Sequence, residues 1–274
     1  MVFFCDAWRN ASTAVNSALR FHWSLSGVGD TFRRTLPVER QSGAVLFDQY
    51  AEFCQISERN GIESLLMAIG CARPDPTVLS VVLAGAASRI KFMLACRSGL
   101  ISPAYFVQQI NTLASLTEGR VHVNLVLGHT PNELRYYGDF LSHDERIRRT
   151  DEFLSICRSY WAGTSALDFS GTYYRVAAGR LRTPFQSSER SRPEIFIGGS
   201  SEGVVRLAAR HADCLWRFPD SLDNIRRTAL GLDQTALGML VSLIARPTHK
   251  EAWDAADSMV RGFGETAAST QRSF

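Results

Sequence analysis

The segment Arg192–Asp213 reads RPEIFIGGSSEGVVRLAARHAD. A short apolar run, Glu194 to Ile197, breaks at Gly198-Gly199-Ser200-Ser201, and a helix-like pattern follows. A strand, a tight turn and a helix in direct succession make one βα unit. The turn has the chemistry of an anion site. Two glycines let backbone approach closely, two hydroxyls donate hydrogen bonds, and a helix start offers free N–H groups at the positive end of its dipole. A plain turn with a serine N-cap would look the same.

The same alternation extends along the chain. Strand-like runs are expected at Ala18–Leu25, Ile62–Ile69, Ile90–Cys96, Arg120–Leu127, 213–218 (DCLWRF) and 238–247 (GMLVSLIARP), besides the one above. Helical patterns fall between them. One carries Phe47, Tyr50, Ala51 and Cys54 on a single face; others run over Asp75–Val82, Ser102–Leu116 and Ser142–Trp161, and the last begins near His249. A long polar loop occupies 26–43, and 166–193 reads as a small hairpin excursion around Gly171. Apolar strands alternating with helices imply a parallel sheet with right-handed crossovers, and seven such units favour a (β/α)8 TIM barrel over an open sheet. No eighth strand is visible after the seventh, and 261–274 reads as a polar tail. Either a last element is lacking or something else closes the barrel. With no linker or repeat, 1–274 is expected to be a single domain.

At 274 residues, with 45% hydrophobic and 21% charged residues, the composition is that of an ordinary globular domain. A net charge of +3 is too small to point to nucleic acid or a membrane surface. No apolar run is long enough to span a bilayer, and the start, MVFFCDAWRN, lacks a signal-peptide pattern. Cys5, Cys54, Cys71, Cys96, Cys157 and Cys214 are scattered without a CxxC pair, so neither a disulfide scaffold nor a metal site is expected, and a cytoplasmic location with reduced thiols is.

Five segments, in order, resemble the bacterial luciferase-like flavin monooxygenases, nearest to their alkanesulfonate monooxygenase branch. They are RIKFMLACRSGLISPAYFVQQINTLASLTEGRVHVNLVLG, HTPNELRYYGDFLSHDERIRRTDEFL, DFSGTYYRV, the 192–213 unit and RPTHKEAWDAAD. The likeness covers about residues 18–260. It implies a barrel that binds reduced FMN at the C-terminal mouth of its strands, the FMNH2 coming from a separate flavin reductase. Oxidation of a small organic substrate by O2 through a flavin peroxide follows, as does a homodimer. A two-component system needs no nicotinamide site, in keeping with the lack of GxGxxG.

The resemblance assigns Gly198, Gly199, Ser200 and Ser201 to the FMN phosphate, Asn124 to the flavin lining, and Trp216 to the neighbourhood of the ring. Arg97, at a strand end, is a candidate catalytic cation for the anionic reduced flavin or an acidic substrate. His22, beside Trp23, is the candidate acid–base group. Simpler roles remain open for each: a backbone-bonded Asn in the barrel, a surface ion pair, a core-filling Trp, a packing His. Cys71 matches a loop cysteine of the sulfonate branch only loosely, and His143 reads as a helix-start residue.

Four features depart from the family. Ile147 stands where the family has a Tyr on the FMN phosphate. Leu240 and Ser242 stand where the sulfonate branch has an Arg and a His pointing into the site. The 26–43 loop lacks the branch's PTHGDG pattern, and the mobile loop and last strand have no counterpart after about residue 260. These argue against a simple sulfonate substrate. They leave, beside the monooxygenase, the alternative of a non-catalytic homologue serving as a binding or dimer-partner subunit.

Overall fold

The computed structural model describes residues 2–6, 19–25, 47–71, 73–128, 130–163 and 166–271, with backbone alone at 2–6 and 262–271. The 26–43 loop lies outside the described residues. In chain order the elements are β1 (Val2–Asp6), β2 (Arg20–Ser24), α1 (Phe47–Arg59), β3 (Ser64–Met67), α2 (Pro76–Leu83), β4 (Lys91–Cys96), α3 (Pro103–Thr117), β5 (Val121–Val126), α4 (Pro131–Tyr136) and α5 (His143–Trp161). There follow β6 (Leu167–Ser170), β7 (Arg175–Gly179), β8 (Glu194–Gly198), α6 (Glu202–His211), β9 (Cys214–Arg217), α7 (Leu222–Leu230), β10 (Ala236–Val241) and α8 (His249–Gln271).

The large sheet closes into a barrel in the order β1-β10-β9-β8-β5-β4-β3-β2. Seven strands are parallel, as the βα alternation predicts. The eighth place is filled by β1, which runs antiparallel to both neighbours and pairs Val2 with Val241 on one side and with Trp23 on the other. The barrel is thus closed from the N-terminal side, by a short apolar run outside the βα rhythm. Two helices, α4 and α7, add to those read from the sequence, and α8 continues into the segment read as a tail.

Strand alternation sorts the core into two layers. Phe92, Leu94, Val123, Leu125, Ile195, Ile197 and Leu215 face outward and pack beneath the helices. Met93, Phe196, Cys214 and Trp216 form a separate cluster inside the barrel, joined by Leu66, Ala236 and Leu240. Helix α6 contributes to the outer layer through Val204, Leu207 and Ala208, the i, i+3, i+4 spacing of one buried face. Buried thiols belong to this packing too: burial pushes Cys54 up to about 12, which leaves it a small hydrophobe.

The β6–β7 hairpin is fastened to α5 by one carboxylate. Glu152 accepts from the backbone N–H groups of Thr172, Tyr173 and Tyr174 at 2.7–3.1 Å. A side chain at Gly171 would collide with that carboxylate, which explains the glycine. The Tyr174 hydroxyl then donates to the Ser98 carbonyl, tying the hairpin to the loop after β4.

Candidate active site

The barrel interior has three levels. At the N-terminal end, five strands each bring a charged or titratable side chain at or beside their first residue. Arg20 donates to Glu63 at 2.6 and 2.7 Å and to Glu194 at 2.6 and 2.7 Å. His122 lies 3.6 Å from Glu194 and 3.8 Å from Glu63, and Lys91 adds a further contact to Glu63 at 3.6 Å. Burial alone would raise the Glu194 carboxyl; the Arg20 hydrogen bonds and the positive charge around it, Arg20 and Arg190 included, together outweigh that and hold the group down to about 2. One ligand atom each from Glu63, His122 and Glu194 lies within 4.8 Å of the others, a spacing a metal ion would accept. Arg20 already spans both carboxylates, so the cation's place is taken by a guanidinium. Sequence reasoning passed over this cluster because its members are far apart in the chain.

At mid-height sits His22. It is the third residue of β2, not its end, and is fully enclosed at 0% exposure. Its Nδ1 shares a 2.6 Å hydrogen bond with the Ser64 hydroxyl, and its ring meets Phe196 and Trp216 edge-on at 5.6 and 5.5 Å. Burial lowers its pKa to about 4, so the imidazole is neutral at ordinary pH. The expected place at the strand end is therefore corrected: His22 lies mid-strand, below the end of β2. Phe196 and Trp216 stack above it, 5.1 Å apart and inclined by 13°.

The C-terminal mouth gathers the remaining candidates. Asn124, in β5 opposite Phe196 of β8, is buried, and its Oδ1 has no hydrogen-bond partner. Arg97 follows β4 on the inward face, two residues beyond Ala95. It is 7% exposed, and its Nη2 donates to Glu133 at 3.0 Å. Gly198 and Gly199 end β8 beside Trp216, whose carbonyl accepts from the Gly199 N–H at 2.9 Å. At φ 150°, Gly199 holds a backbone conformation that favours glycine, and a Cβ there would lie 3.0 Å from Val204.

Ser201 caps α6 without a side-chain cap bond, as does Thr130 for the short α4, whereas Asp75, Ser102, Ser142 and Ser221 each make one for α2, α3, α5 and α7. Instead the Ser201 hydroxyl lies 3.2 Å from Nε2 of His143, the first residue of α5. The starts of α5 and α6 thus meet beside the exposed Ser200. The close approach is set by Gly203: a Cβ there would lie 2.8 Å from the Ile147 side chain.

Residues 29–273 match the family model described as luciferase-like monooxygenase. The chain belongs to this family. Among solved structures, this luciferase-like chain is similar to the EDTA monooxygenase from Chelativorans sp. BNC1 (24% identity, TM-score 0.60, 67% of this chain and 52% of that one). It is also similar to a long-chain alkane monooxygenase (22%, TM-score 0.64, 76% and 60%). A third is the oxygenating constituent of 3,6-diketocamphane monooxygenase from the CAM plasmid of Pseudomonas putida, solved in complex with FMN (20%, TM-score 0.60, 80% and 62%). The chain spans between about half and two thirds of the length of these structures. Among the described residues no helix is long and apolar enough to cross a membrane.

Against the luciferase-like pattern, the glycine–serine turn, Asn124, Trp216 and Arg97 converge on one end of the barrel. His22 lies deeper. Ile147 is spent on packing α5 against α6, where a Tyr would have to displace Gly203's neighbourhood. Leu240 belongs to the apolar cluster inside the barrel.

Proposed function

We propose that this chain binds reduced FMN at the C-terminal mouth and, with O2, oxidises a small organic substrate, the FMNH2 being supplied by a separate flavin reductase. The observation that carries this reading is the pairing of an uncapped helix start at Ser201 with a buried, unpartnered Asn124 acceptor on the same end of the barrel. A dinucleotide is not needed to explain either. The hydroxyls of Ser200 and Ser201 and the N–H groups opening α6 suit a phosphate, with His143 at its side. The Asn124 Oδ1 suits an N–H of a reduced flavin ring. Trp216, stacked on Phe196, gives the ring an apolar floor that keeps water out. Arg97 supplies the cation at the rim. Reduced FMN, when bound, supplies the electrons that activate O2.

The substrate class moves away from sulfonates, since Leu240 and Ser242 bring no charge to the β10 side. A homodimer is supported by the exposed Val78, Val81 and Val82 of α2, apolar surface on a helix of the kind through which such barrels pair.

An anaerobic titration with FMNH2, with oxidised FMN as control, tests the reading. Saturable binding that favours the reduced form is expected, and replacing Ser200 and Ser201 by Ala weakens it by roughly tenfold. A folded protein that binds neither form, or a double variant with unchanged affinity, overturns the assignment. The first result would turn attention to the non-catalytic partner that Ile147, Leu240 and Ser242 would allow.

A further inference from the structure

Arg97 is only half used by the protein. Its Nη2 donates to Glu133 Oε1 at 3.0 Å, yet Nε and Nη1 are buried without any acceptor. A buried guanidinium donor left without an acceptor costs free energy that a ligand can recover; Arg146 and Arg217 each leave Nε so, whereas Arg97 leaves two nitrogens. The surroundings fix this side chain in place. Glu133 Oε1 also accepts from the Cys71 N–H at 3.2 Å, which joins α4 to the loop after β3. The Tyr137 ring lies 5.4 Å from the guanidinium carbon, within cation–π range. Ser98, next in the chain, is held by Thr150 at 2.9 Å and by the Tyr174 hydroxyl. The side chain is therefore held by its neighbours, with its two unused donors enclosed beneath the mouth.

We infer that Arg97 anchors a carboxylate of the substrate, in a subsite framed by Glu133, Tyr137 and the loop at Gly70 and Cys71. The inference rests on the reading of the C-terminal mouth as a flavin site, and it names the substrate class that reading leaves open. Glu133 offsets the Arg97 charge, so what the subsite offers a ligand is a pair of unused guanidinium donors, and a second negative charge on the ligand would meet the Glu133 carboxylate. A phosphate already has separate donors at α6. Arg is the side chain best matched to a carboxylate, through charge-assisted hydrogen bonds. With Leu240 and Ser242 uncharged on β10, the positive charge facing the substrate comes from the β4 side.

Calorimetric titration with benzoate, and with neutral benzamide as its isostere, tests this. Benzoate binds saturably and at least tenfold more tightly than benzamide. Arg97→Gln abolishes benzoate binding, Arg97→Lys, which keeps the pairing with Glu133, weakens it, and Ser201→Ala leaves it intact. Benzamide binding as well as benzoate, or Arg97→Gln and Arg97→Lys both binding benzoate like the parent, overturns the proposal. The isostere comparison needs no variant, and Arg97→Lys serves if Arg97→Gln does not fold. FMNH2 titrations of the same proteins separate the sources of the anion. Ser201→Ala losing FMNH2 affinity more than Arg97→Lys supports a substrate carboxylate; an equal or larger loss in Arg97→Lys assigns the anion to the flavin and overturns it. A parent protein that binds benzoate but no FMNH2 instead sinks the flavin reading beneath.

Discussion

The two ends of the barrel treat buried polar groups in opposite ways. At the N-terminal end, Arg20 uses its guanidinium on two carboxylates, and Lys91 and Arg190 crowd the same pair. At the C-terminal end, Asn124 Oδ1 and two nitrogens of Arg97 have no hydrogen-bond partner among the described residues. Both ends carry charge in a closed space, where leaving a group unpaired is expensive. The N-terminal end answers most of that cost within the fold: its carboxylates are paired, and the His122 ring nitrogens, though without a hydrogen bond, lie 3.6 and 3.8 Å from them. The other has left it for something outside the fold to answer. The difference matches the rule for such barrels, that the N-terminal face serves stability and the C-terminal face chemistry.

The comparison can be broken most forcefully at Arg20. Arg20→Ala strands two carboxylates, one of them only 4% exposed at its side chain, and should cost about 4 kcal/mol in urea unfolding. A loss below about 1 kcal/mol would show that the network is not holding that end together. The same end predicts acid sensitivity. Glu194, held down to about 2, stabilises the fold above the unfolded value near 4.5; as pH falls between these, the unfolded chain takes the proton first and stability drops.

His22 adds a second, higher window of up to about 3 kcal/mol. Its folded pKa of about 4 lies below the unfolded 6.5, so its contribution is complete above 6.5 and is lost as pH falls toward 4. His22→Gln should flatten the unfolding midpoint between pH 6.5 and 4; an unchanged slope would place the titration elsewhere. Next comes Gly199→Ala, where a Cβ at φ 150° and 3.0 Å from Val204 should cost about 2 kcal/mol by thermal melting. The mouth should respond in the reverse sense. Asn124→Leu removes an unpartnered acceptor, so the melting temperature holds or rises while FMNH2 affinity falls by about tenfold. A variant that melts lower with flavin affinity intact would make Asn124 a structural residue.

Much of this was readable from the chain. The seven parallel strands announce themselves because each is a compact apolar run between helix signals, and Asp75, Ser102 and Ser142 sit at helix starts where caps belong. The 198–201 turn was legible for the same reason: its residues are contiguous. β1 was not, since five apolar-rich residues have no periodicity to set against a partner more than two hundred residues away. Nor was the Arg20–Glu63–His122–Glu194 cluster, whose members come from β2, β5, β8 and the residue before β3. Only the closed barrel brings them together. The depth of His22 escaped for a related reason: a strand's residue pattern fixes which face a side chain takes, not how far up the barrel it sits.

The clasp made by β1 bears on how the molecule is made. Its register joins Val2–Asp6 to Leu237–Val241, so the ring of strands cannot be completed until residues 237–241 have left the ribosome. Until β1 docks, the edges of β2 and β10 stay open, surfaces onto which a second nascent chain could add a strand. Such distant pairing is slow to find, and the docking of β1 between β10 and β2 should be the last step of folding.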